Sequence, residues 1–402
     1  MKRGYLKDHF PVYGYKKLAE VEVNPAKSNE HEFNGVAAFK RMFGPERRTI
    51  RAHIVYLTDI EEDIIGDDIC VTWYNSRENH STRNEYRLYY QSTGCIDSAE
   101  AGDLMVIALN ASNQLNIFIA REGDTIEKQL AWLFDIDLYR DVFNRFRIGE
   151  FSESDADSFF TDLILERIGI EITTEEPTLL ETLIKRFGNR FPPTAVFSQF
   201  AREMCEPVDA VSSPDLAVSR WLFTEEKAFK VFESHLVGKR LEKRFNDVDE
   251  FIRFSLSIHN RRKARAGFAL ENHLCHLFSL MGIRYSYNKA TENRVKPDFV
   301  FPGIEHYHDP GFEVELLTML GVKTTCKDRW RQVLSEAARI PVKHLLTMEP
   351  AISTGQTDEM KENLLRLVIP EEIRSSYTQS QQEWLINIRE FTDSVKHKQR
   401  NL

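Results

Sequence analysis

Two short apolar segments in the C-terminal half, each bordered by an ionisable side chain, constrain the fold of this chain most. Asp298 opens the first segment, which ends at Phe301, and it directly follows Pro297. Lys323 closes the second, which begins at Leu316. Short apolar runs with polar borders are typical of strands in a buried sheet. Two such strands ending at one cleft would bring the carboxylate and the ammonium together.

Helical and strand patterns alternate through the rest of this half. Four apolar residues share one side of a predicted helix over 268–281, and Gly282 follows as a typical helix terminator. Further strands are predicted at 342–347 and 364–369, and further helices at 330–340, 358–365 and 383–395. This alternation predicts an α/β domain with a mixed sheet.

The N-terminal part is rich in β-type patterns from residue 49 to about residue 125. Strands are predicted at 49–57, 69–74, 104–109 and 115–120, with a hairpin loop at 110–113. A helical pattern follows, with Ile126 and Leu130 on one face, and an acidic, proline-containing stretch then predicts a linker. With 402 residues, two globular domains are expected. The predicted bounds are 1–172 for the first domain, 173–180 for the linker and 181–402 for the second domain.

The order of acid, lysine and acid in the second domain suits hydrolysis of a phosphodiester. Bound Mg²⁺ prefers carboxylate oxygens, and a nearby lysine can orient the water and neutralise developing charge. The usual nuclease arrangement has an acid two residues before the lysine, but that residue here is Gly321. On the predicted helix after Lys323, Glu336 lies on the flank of the apolar stripe, where it could face back toward Asp298.

Each of these residues taken alone has an ordinary structural explanation. Asp298 would begin a turn, Lys323 would end a surface strand, and Glu336 would be a solvated helix residue. Their order along a strand, a strand and a helix favours the nuclease. Two alternatives remain: a DNA-binding regulatory protein with an inactive nuclease fold, and a structure-specific nuclease of the same fold.

Several longer motifs resemble the EcoRII family of type II restriction endonucleases. They are Lys323-Thr-Thr-Cys-Lys-Asp-Arg-Trp-Arg-Gln332, Lys296-Pro-Asp-Phe-Val-Phe-Pro302, Tyr307-His-Asp309 and Asn260-Arg-Arg-Lys-Ala-Arg-Ala-Gly267. The resemblance extends across the C-terminal part and more weakly across the N-terminal part. It implies a restriction-endonuclease-like PD-(D/E)XK fold whose second acid has moved to the helix.

The resemblance also implies roles for individual residues. Asp298 and Glu336 would bind Mg²⁺, Lys323 would assist the water, and Glu271 aligns with a further acid on the preceding helix. The triplet Lys327, Asp328 and Arg329 would read bases. Lysine and arginine donate to guanine and aspartate accepts from cytosine, which suits a CC…GG site of the CCWGG or CCNGG type.

A symmetric site in duplex DNA calls for a symmetric homodimer, and the family implies pairing with a cognate DNA methyltransferase. Arg262 and Arg265 belong to a basic stretch that is either a solvated face or part of a DNA-binding cleft. We count both arginines as candidate DNA contacts.

The N-terminal domain is implied to be a DNA-binding pseudobarrel that binds a further copy of the site as an effector. Arg83, Glu85 and Arg87 stand where the family has DNA contacts. Ser81 and Tyr86 replace lysines of the family, which would weaken effector binding. His31 is a further candidate contact.

Composition limits the setting in which the chain works. The net charge of −9 opposes approach to a polyanion, so any DNA-binding cleft must be locally basic. Five irregularly spaced cysteines argue against a disulfide framework. The sequence shows neither a secretory signal nor a run of roughly 18 apolar residues, so we expect a cytoplasmic protein without a membrane span.

Overall fold

A computed structural model of the chain describes residue 10 and residues 12–23, 32–35, 37–78, 84–110, 114–138, 147–149, 164–165, 168–169, 177–326, 329–400 and 402. It contains two compact units. The first comprises Met1–Ile170 and Ala351–Gly355, and the second comprises Glu171–Pro350 and Gln356–Leu402.

An eight-stranded mixed sheet dominates the first unit. Its strands are β1 (Val12–Lys17), β2 (Glu32–Gly35), β3 (Arg48–Leu57), β4 (Ile65–Asn75), β5 (Tyr86–Tyr89), β6 (Leu104–Leu109), β7 (Leu115–Ala120) and β8 (Arg147–Gly149). They lie in the order β2-β5-β4-β3-β7-β6-β1-β8. The pair β3 and β7 is parallel, and the other neighbours are antiparallel.

Alternation along the strands builds the core of this unit. Ile50, Ala52 and Ile54 of β3 point to one face, as expected for a period of two, and all three are buried. Trp73 of β4 is buried beside them and stacks on Tyr86 with ring centroids 5.1 Å apart. Helices with described bounds in this unit are α1 (Glu20–Val23), α2 (Ala37–Phe43), α3 (Gly94–Asp97) and α4 (Thr125–Leu133).

The second unit begins with a bundle of four helices and continues into a five-stranded sheet. The bundle consists of α5 (Pro177–Phe187), α6 (Thr194–Met204), α7 (Pro214–Leu241) and α8 (Val248–Leu280). The sheet consists of β9 (Ser286–Tyr287), β10 (Phe299–Phe301), β11 (Thr318–Lys323), β12 (Lys343–Thr347) and β13 (Leu365–Val368). Strands β11, β12 and β13 are parallel, while β10 is antiparallel to both β11 and β9.

Five further helices pack around or follow this sheet. They are α9 (Ile304–His308), α10 (Trp330–Leu334), α11 (Thr354–Glu362), α12 (Gln379–Gln382) and α13 (Ile388–Arg400). Thus the predicted mixed architecture, with a β-rich N-terminal part and a mixed α/β sheet in the C-terminal part, is confirmed.

Several element bounds differ from the prediction. Helix α8 starts twenty residues before position 268, because Asp247 caps it by accepting a hydrogen bond from the amide of Glu250 at 2.7 Å. It ends before Gly282, whose φ of +66° suits the terminator that the sequence predicts. Helix α10 stops at Leu334, and α13 starts only at Ile388.

The predicted linker and hairpin loop fall partly outside the described residues. Residues 177–180 of the linker form the first turn of α5, which opens on a proline, a residue well suited to that position. Residues 173–176 and 111–113 lie outside the described ranges.

Candidate active site

Asp298 and Lys323 are brought together by the pairing of β10 with β11. Phe299 faces Leu320 in this antiparallel pair, so the residue before β10 lies beside the end of β11. Oδ2 of Asp298 accepts hydrogen bonds from the amide of Val322 at 2.6 Å and from Nζ of Lys323 at 3.2 Å. Both side chains are mostly buried, at 17% and 20% exposure. The strand register therefore builds the ion pair that the sequence predicts.

Gly321 occupies the position where many nucleases carry an acid, and packing explains why. A Cβ added to Gly321 would lie 2.9 Å from Cγ2 and 3.1 Å from Cγ1 of Val333 on α10. Contacts this short are repulsive, so a side chain here would push the helix off the sheet. The close approach of α10 to β11 excludes an acid at position 321.

Glu336 supplies a carboxylate from a turn rather than from a helix. The predicted helix would run to residue 340, but α10 ends at Leu334 and Glu336 follows two residues later. Glu336 is only 8% exposed, and the next residue, Ala337, has a φ of +46°. This left-handed residue turns the chain sharply just after the carboxylate.

A buried lysine holds that turn. Nζ of Lys343, at the start of β12, donates to the carbonyl oxygens of Ala337 at 3.1 Å and Ile340 at 2.9 Å. Lys343 is 7% exposed, and burial lowers its pKa. Such a buried ammonium is tolerated only when carbonyls or carboxylates surround it.

The carboxylates of the site influence each other's protonation. Burial and, second, the negative charge of Asp298 together raise the pKa of Glu336 to about 7, against the opposing charges of Lys323 and Lys343. Within the described part of the chain, no hydrogen-bond donor reaches Oε2 of Glu336. A buried carboxylate oxygen without a donor is a ready ligand for a cation.

Glu271 reaches the same site from α8. Its Oε2 accepts a hydrogen bond from the hydroxyl of Tyr287 on β9 at 2.5 Å. Burial raises the pKa of Glu271, and the charge of Asp298 adds to the shift, which means that the two carboxylates lie close enough to interact. Glu271 therefore lies within electrostatic range of Asp298 and Lys323.

This donor set fits a hard divalent cation. Mg²⁺ commonly uses one or two carboxylates and keeps several waters, so Asp298 and Glu336 are sufficient protein ligands. Among the residues with described positions, no group of three or more His, Cys, Asp or Glu side chains could hold a metal by itself.

The predicted base-reading triplet follows Lys323 by four residues in the sequence. Lys327 and Asp328 lie outside the described residues. Arg329 precedes α10, and its guanidinium donates to Oγ1 of Thr325 at 3.1 Å. The preceding Cys326 is fully buried, and its amide donates to Oε2 of Glu349 at 2.5 Å.

The two candidate DNA contacts on α8 engage the neighbouring helix α7. Nε of Arg262 donates to Oε2 of Glu233 at 2.6 Å. Arg265 forms an ion pair with Glu226, and its guanidinium lies 4.2 Å from the ring centroid of Phe229. These contacts give both arginines a role in packing the helices, and their use on DNA stays a prediction.

The N-terminal recognition segment is described only in part. Arg83 and His31 lie outside the described residues. Arg87 on β5 donates to Glu32 at 2.6 Å and to Glu85 at 3.0 Å. Glu85 also accepts from Arg77 at 2.6 Å, and these hydrogen bonds from Arg87 and Arg77 lower its pKa. Glu85 and Arg87 therefore belong to one partly buried ionic network.

Three residues that support the site were not identified from the sequence: Tyr287, Lys343 and Glu349. Lys343 carries the clearest signal, because it is a buried lysine at the start of a strand. The roles of Tyr287 and Glu349 depend on tertiary contacts that leave no local pattern. None of the described helices is both long and apolar enough to cross a membrane.

Several known proteins are similar to this chain. A family model described as EcoRII C terminal matches residues 229–392. Metal-depleted Ecl18kI in complex with uncleaved DNA is 20% identical, with a TM-score of 0.45 over 56% of this chain and 86% of that one. The complex of restriction endonuclease PspGI with substrate DNA is 15% identical, with a TM-score of 0.43 over 53% of this chain and 95% of that one.

A full-length relative gives the stronger result. The type II restriction enzyme EcoRII of Escherichia coli is 34% identical over 321 residues, which cover 79% of this chain and 76% of that enzyme. An identity of this size, extending over both units of the structure, indicates common descent. The chain belongs to the EcoRII family of type II restriction endonucleases.

Proposed function

We propose that this protein is a Mg²⁺-dependent endonuclease of the PD-(D/E)XK type that cuts both strands of duplex DNA at a CC…GG site, of the CCWGG or CCNGG type. One observation carries the proposal. Oδ2 of Asp298 accepts a hydrogen bond from Nζ of Lys323 at 3.2 Å, and the buried carboxylate of Glu336 interacts electrostatically with both residues. Membership of the EcoRII family supports the same reaction class.

The residues divide the chemistry among themselves. Asp298 and Glu336 would hold Mg²⁺, which when bound relieves charge at the phosphoryl oxygens and makes water more acidic. Lys323, fixed by Asp298, orients the attacking water and offsets the negative charge that develops on the phosphoryl group. Glu271, fixed by Tyr287, adds a further acid beside Asp298.

Base reading is assigned to Lys327, Asp328 and Arg329. Lysine and arginine donate to O6 and N7 of guanine, and aspartate accepts from N4 of cytosine. The triplet begins four residues after Lys323 along the chain. This short connection would couple recognition of the site to placement of the scissile phosphate.

Digestion of unmethylated plasmid tests the proposed function. We expect discrete fragments in the presence of Mg²⁺ and intact plasmid in EDTA, and sequencing of the fragment ends should place CC and GG at the two sides of each cut site. No cutting of any substrate would indicate a DNA-binding protein with an inactive nuclease fold. Equal cutting of branched DNA of any sequence would indicate a structure-specific nuclease.

We also propose that the N-terminal unit binds a further copy of the site as an effector, through Arg83, Glu85 and Arg87, and that the enzyme works with a cognate DNA methyltransferase. In the same assay, a short duplex carrying the site should accelerate cutting of a single-site plasmid, and a scrambled duplex should not. An unchanged rate would mean that the substitutions Ser81 and Tyr86 have removed the effector function.

Plasmid that the cognate methyltransferase has methylated at the site should resist cutting.

A homodimer is proposed because each chain has one active site and duplex DNA has two strands. The first half of α8 offers a surface for the second copy. Val248, Phe251, Ile252 and Leu256 recur at helical spacing and are each at least 46% exposed, and none of residues 248–262 for which burial is described is buried. Two antiparallel copies of α8 would also set Asp249 of one chain near Arg261 of the other.

Phe251→Glu should convert the dimer to a monomer, because it places a charge in the centre of this apolar stripe. Light scattering would report the mass, and the monomer should nick plasmid slowly instead of cutting both strands. Ser257→Glu is the matched control, since Ser257 is exposed on the opposite face of the same helix segment. A Phe251→Glu protein that stays dimeric would exclude this surface.

A further inference from the structure

A buried carboxylate outside the proposed catalytic set holds the chain where it enters the base-reading triplet. Glu349 lies two residues beyond β12 and is 3% exposed. Its Oε2 accepts a hydrogen bond from the amide of Cys326 at 2.5 Å. Cys326 is fully buried and immediately precedes residues 327–329. Glu349 thus fixes the last backbone amide before the triplet.

The segments on both sides of this contact are themselves fixed. The parallel pairing of β11 with β12 ends where Lys323 faces Thr347. Beyond that point, the carbonyl of Thr324 accepts from the amide of Met348 and from Oγ1 of Thr347, each at 3.3 Å. On the other side, the hydroxyl of Tyr377 donates to the carbonyl of Glu349 at 2.6 Å. The backbone on which the carboxylate of Glu349 is carried is therefore fixed by these hydrogen bonds.

Cys326 also connects to the far end of the triplet. Its carbonyl accepts from the amide of Arg329 at 3.0 Å, and the guanidinium of Arg329 folds back onto Thr325. Cys326 therefore contacts Arg329 through its carbonyl and Glu349 through its amide. Packing alone does not require a carboxylate here, because a buried charge is costly unless strong hydrogen bonds compensate it.

We propose that Glu349 is a positioning residue that sets the specificity of base reading. This inference rests on the proposed function. Hydrogen bonds to base edges depend strongly on distance and angle, so a triplet with a loose anchor can also satisfy a wrong base. The hydrogen bonds of the Asp298 and Glu271 carboxylates do not involve Glu349, so the chemical step should depend on it less than discrimination does.

Single-turnover cleavage measures this separation. The rate is determined for the preferred site and for sites changed by one base in the outer pairs, and the ratio of the two rates defines discrimination. Glu349→Ala should lower this ratio about tenfold, the size of one lost base contact. Glu349→Gln keeps an acceptor of the same shape for the amide of Cys326 and should restore most of the ratio.

Tyr377→Phe provides an independent variant that leaves the carboxylate intact. It removes the hydrogen bond to the carbonyl of Glu349 and should lower the ratio about fivefold, since one hydrogen bond is lost. This variant decides the question if Glu349→Ala does not fold. Thermal unfolding of each variant shows which proteins are folded.

The outcomes are distinct. A folded Glu349→Ala protein that slows cutting of all sites equally, or a Tyr377→Phe protein with unchanged discrimination where the alanine variant is unfolded, overturns the proposal. If the unmodified protein cuts no defined site, then the proposed function fails, regardless of Glu349. If the unmodified protein and the variants discriminate equally well between the preferred site and the changed sites, only the role proposed for Glu349 is wrong.

Discussion

Asp298→Asn is expected to reduce DNA cleavage by a factor on the order of 10⁴ while leaving the fold and specific DNA binding intact. Asparagine keeps an oxygen that can accept from the amide of Val322, a bond of 2.6 Å in the structure. It removes the negative charge that pairs with Lys323 and that would bind Mg²⁺. The variant therefore separates the chemistry of Asp298 from its structural hydrogen bond.

Three measurements check this result: plasmid cleavage with Mg²⁺, a gel shift with a duplex carrying the site, and thermal unfolding. Asp393→Asn is the matched control, because Asp393 is exposed on α13. The control should cut at the normal rate. Cleavage by purified Asp298→Asn protein at even a tenth of the normal rate would contradict the assignment of Asp298 as a metal ligand.

The sequence predicted the ion pair of the site because that part depends on strands. Apolar segments bordered by Asp298 and Lys323 specify two buried strands, and antiparallel pairing then leaves little freedom for the residues at their ends. Glu336 was predicted to face the site, but from the wrong local structure. A helical projection cannot foresee that α10 stops at Leu334, since the turn depends on Lys343, whose capping contacts form only in the folded chain.

Gly321 is a second case in which a tertiary contact could not be predicted from the sequence. The sequence shows that the usual acid is missing but gives no reason for its absence. The reason is the short distance between α10 and β11: Val333 on α10 lies where a side chain at position 321 would be. Close packing of a helix on a strand selects glycine there.

The charge pattern alone did not show the packing role of the basic stretch on α8. Arg262 and Arg265 belong to a basic run that resembles a DNA-binding surface, yet their guanidinium groups contact Glu233 and Glu226 on α7. These partners lie 29 and 39 residues earlier in the chain, beyond the reach of any local pattern. The first half of α8 was not predicted, although four apolar residues recur there at helical spacing; the structure shows that they are exposed.

Glu336→Gln should stabilise the metal-free protein at alkaline pH. A carboxyl whose pKa is higher in the folded than in the unfolded state binds its proton more tightly when folded, so the folded state loses stability as the pH rises between those two values. For Glu336 the values are 4.5 and about 7. The shift corresponds to about 3 kcal/mol, taken as an upper value. Glutamine removes this cost because it stays neutral.

The measurement is thermal unfolding in EDTA across pH 4 to 8.5. The melting temperature of Glu336→Gln should match that of the unmodified protein near pH 4, exceed it increasingly from about pH 4.5 to 7, and keep a constant advantage above pH 7. Glu362→Gln, at an exposed glutamate of α11, should show no such trend. A glutamine variant that is less stable at pH 8 would mean that the carboxylate stabilises the fold.

Adding Mg²⁺ should reverse the order of stability. A cation that binds the ionised carboxylate stabilises the folded state and releases the proton, so its effect on the unmodified protein should grow as the pH rises toward about 7. The stability of Glu336→Gln should increase little with Mg²⁺ at any pH, and this variant should not cut DNA.

Asp298→Asn should lower the pKa of Glu336, because the charge of Asp298 helps to raise it. Electrostatic repulsion between the carboxylates of Asp298 and Glu336 would then account for the affinity of the site for a cation.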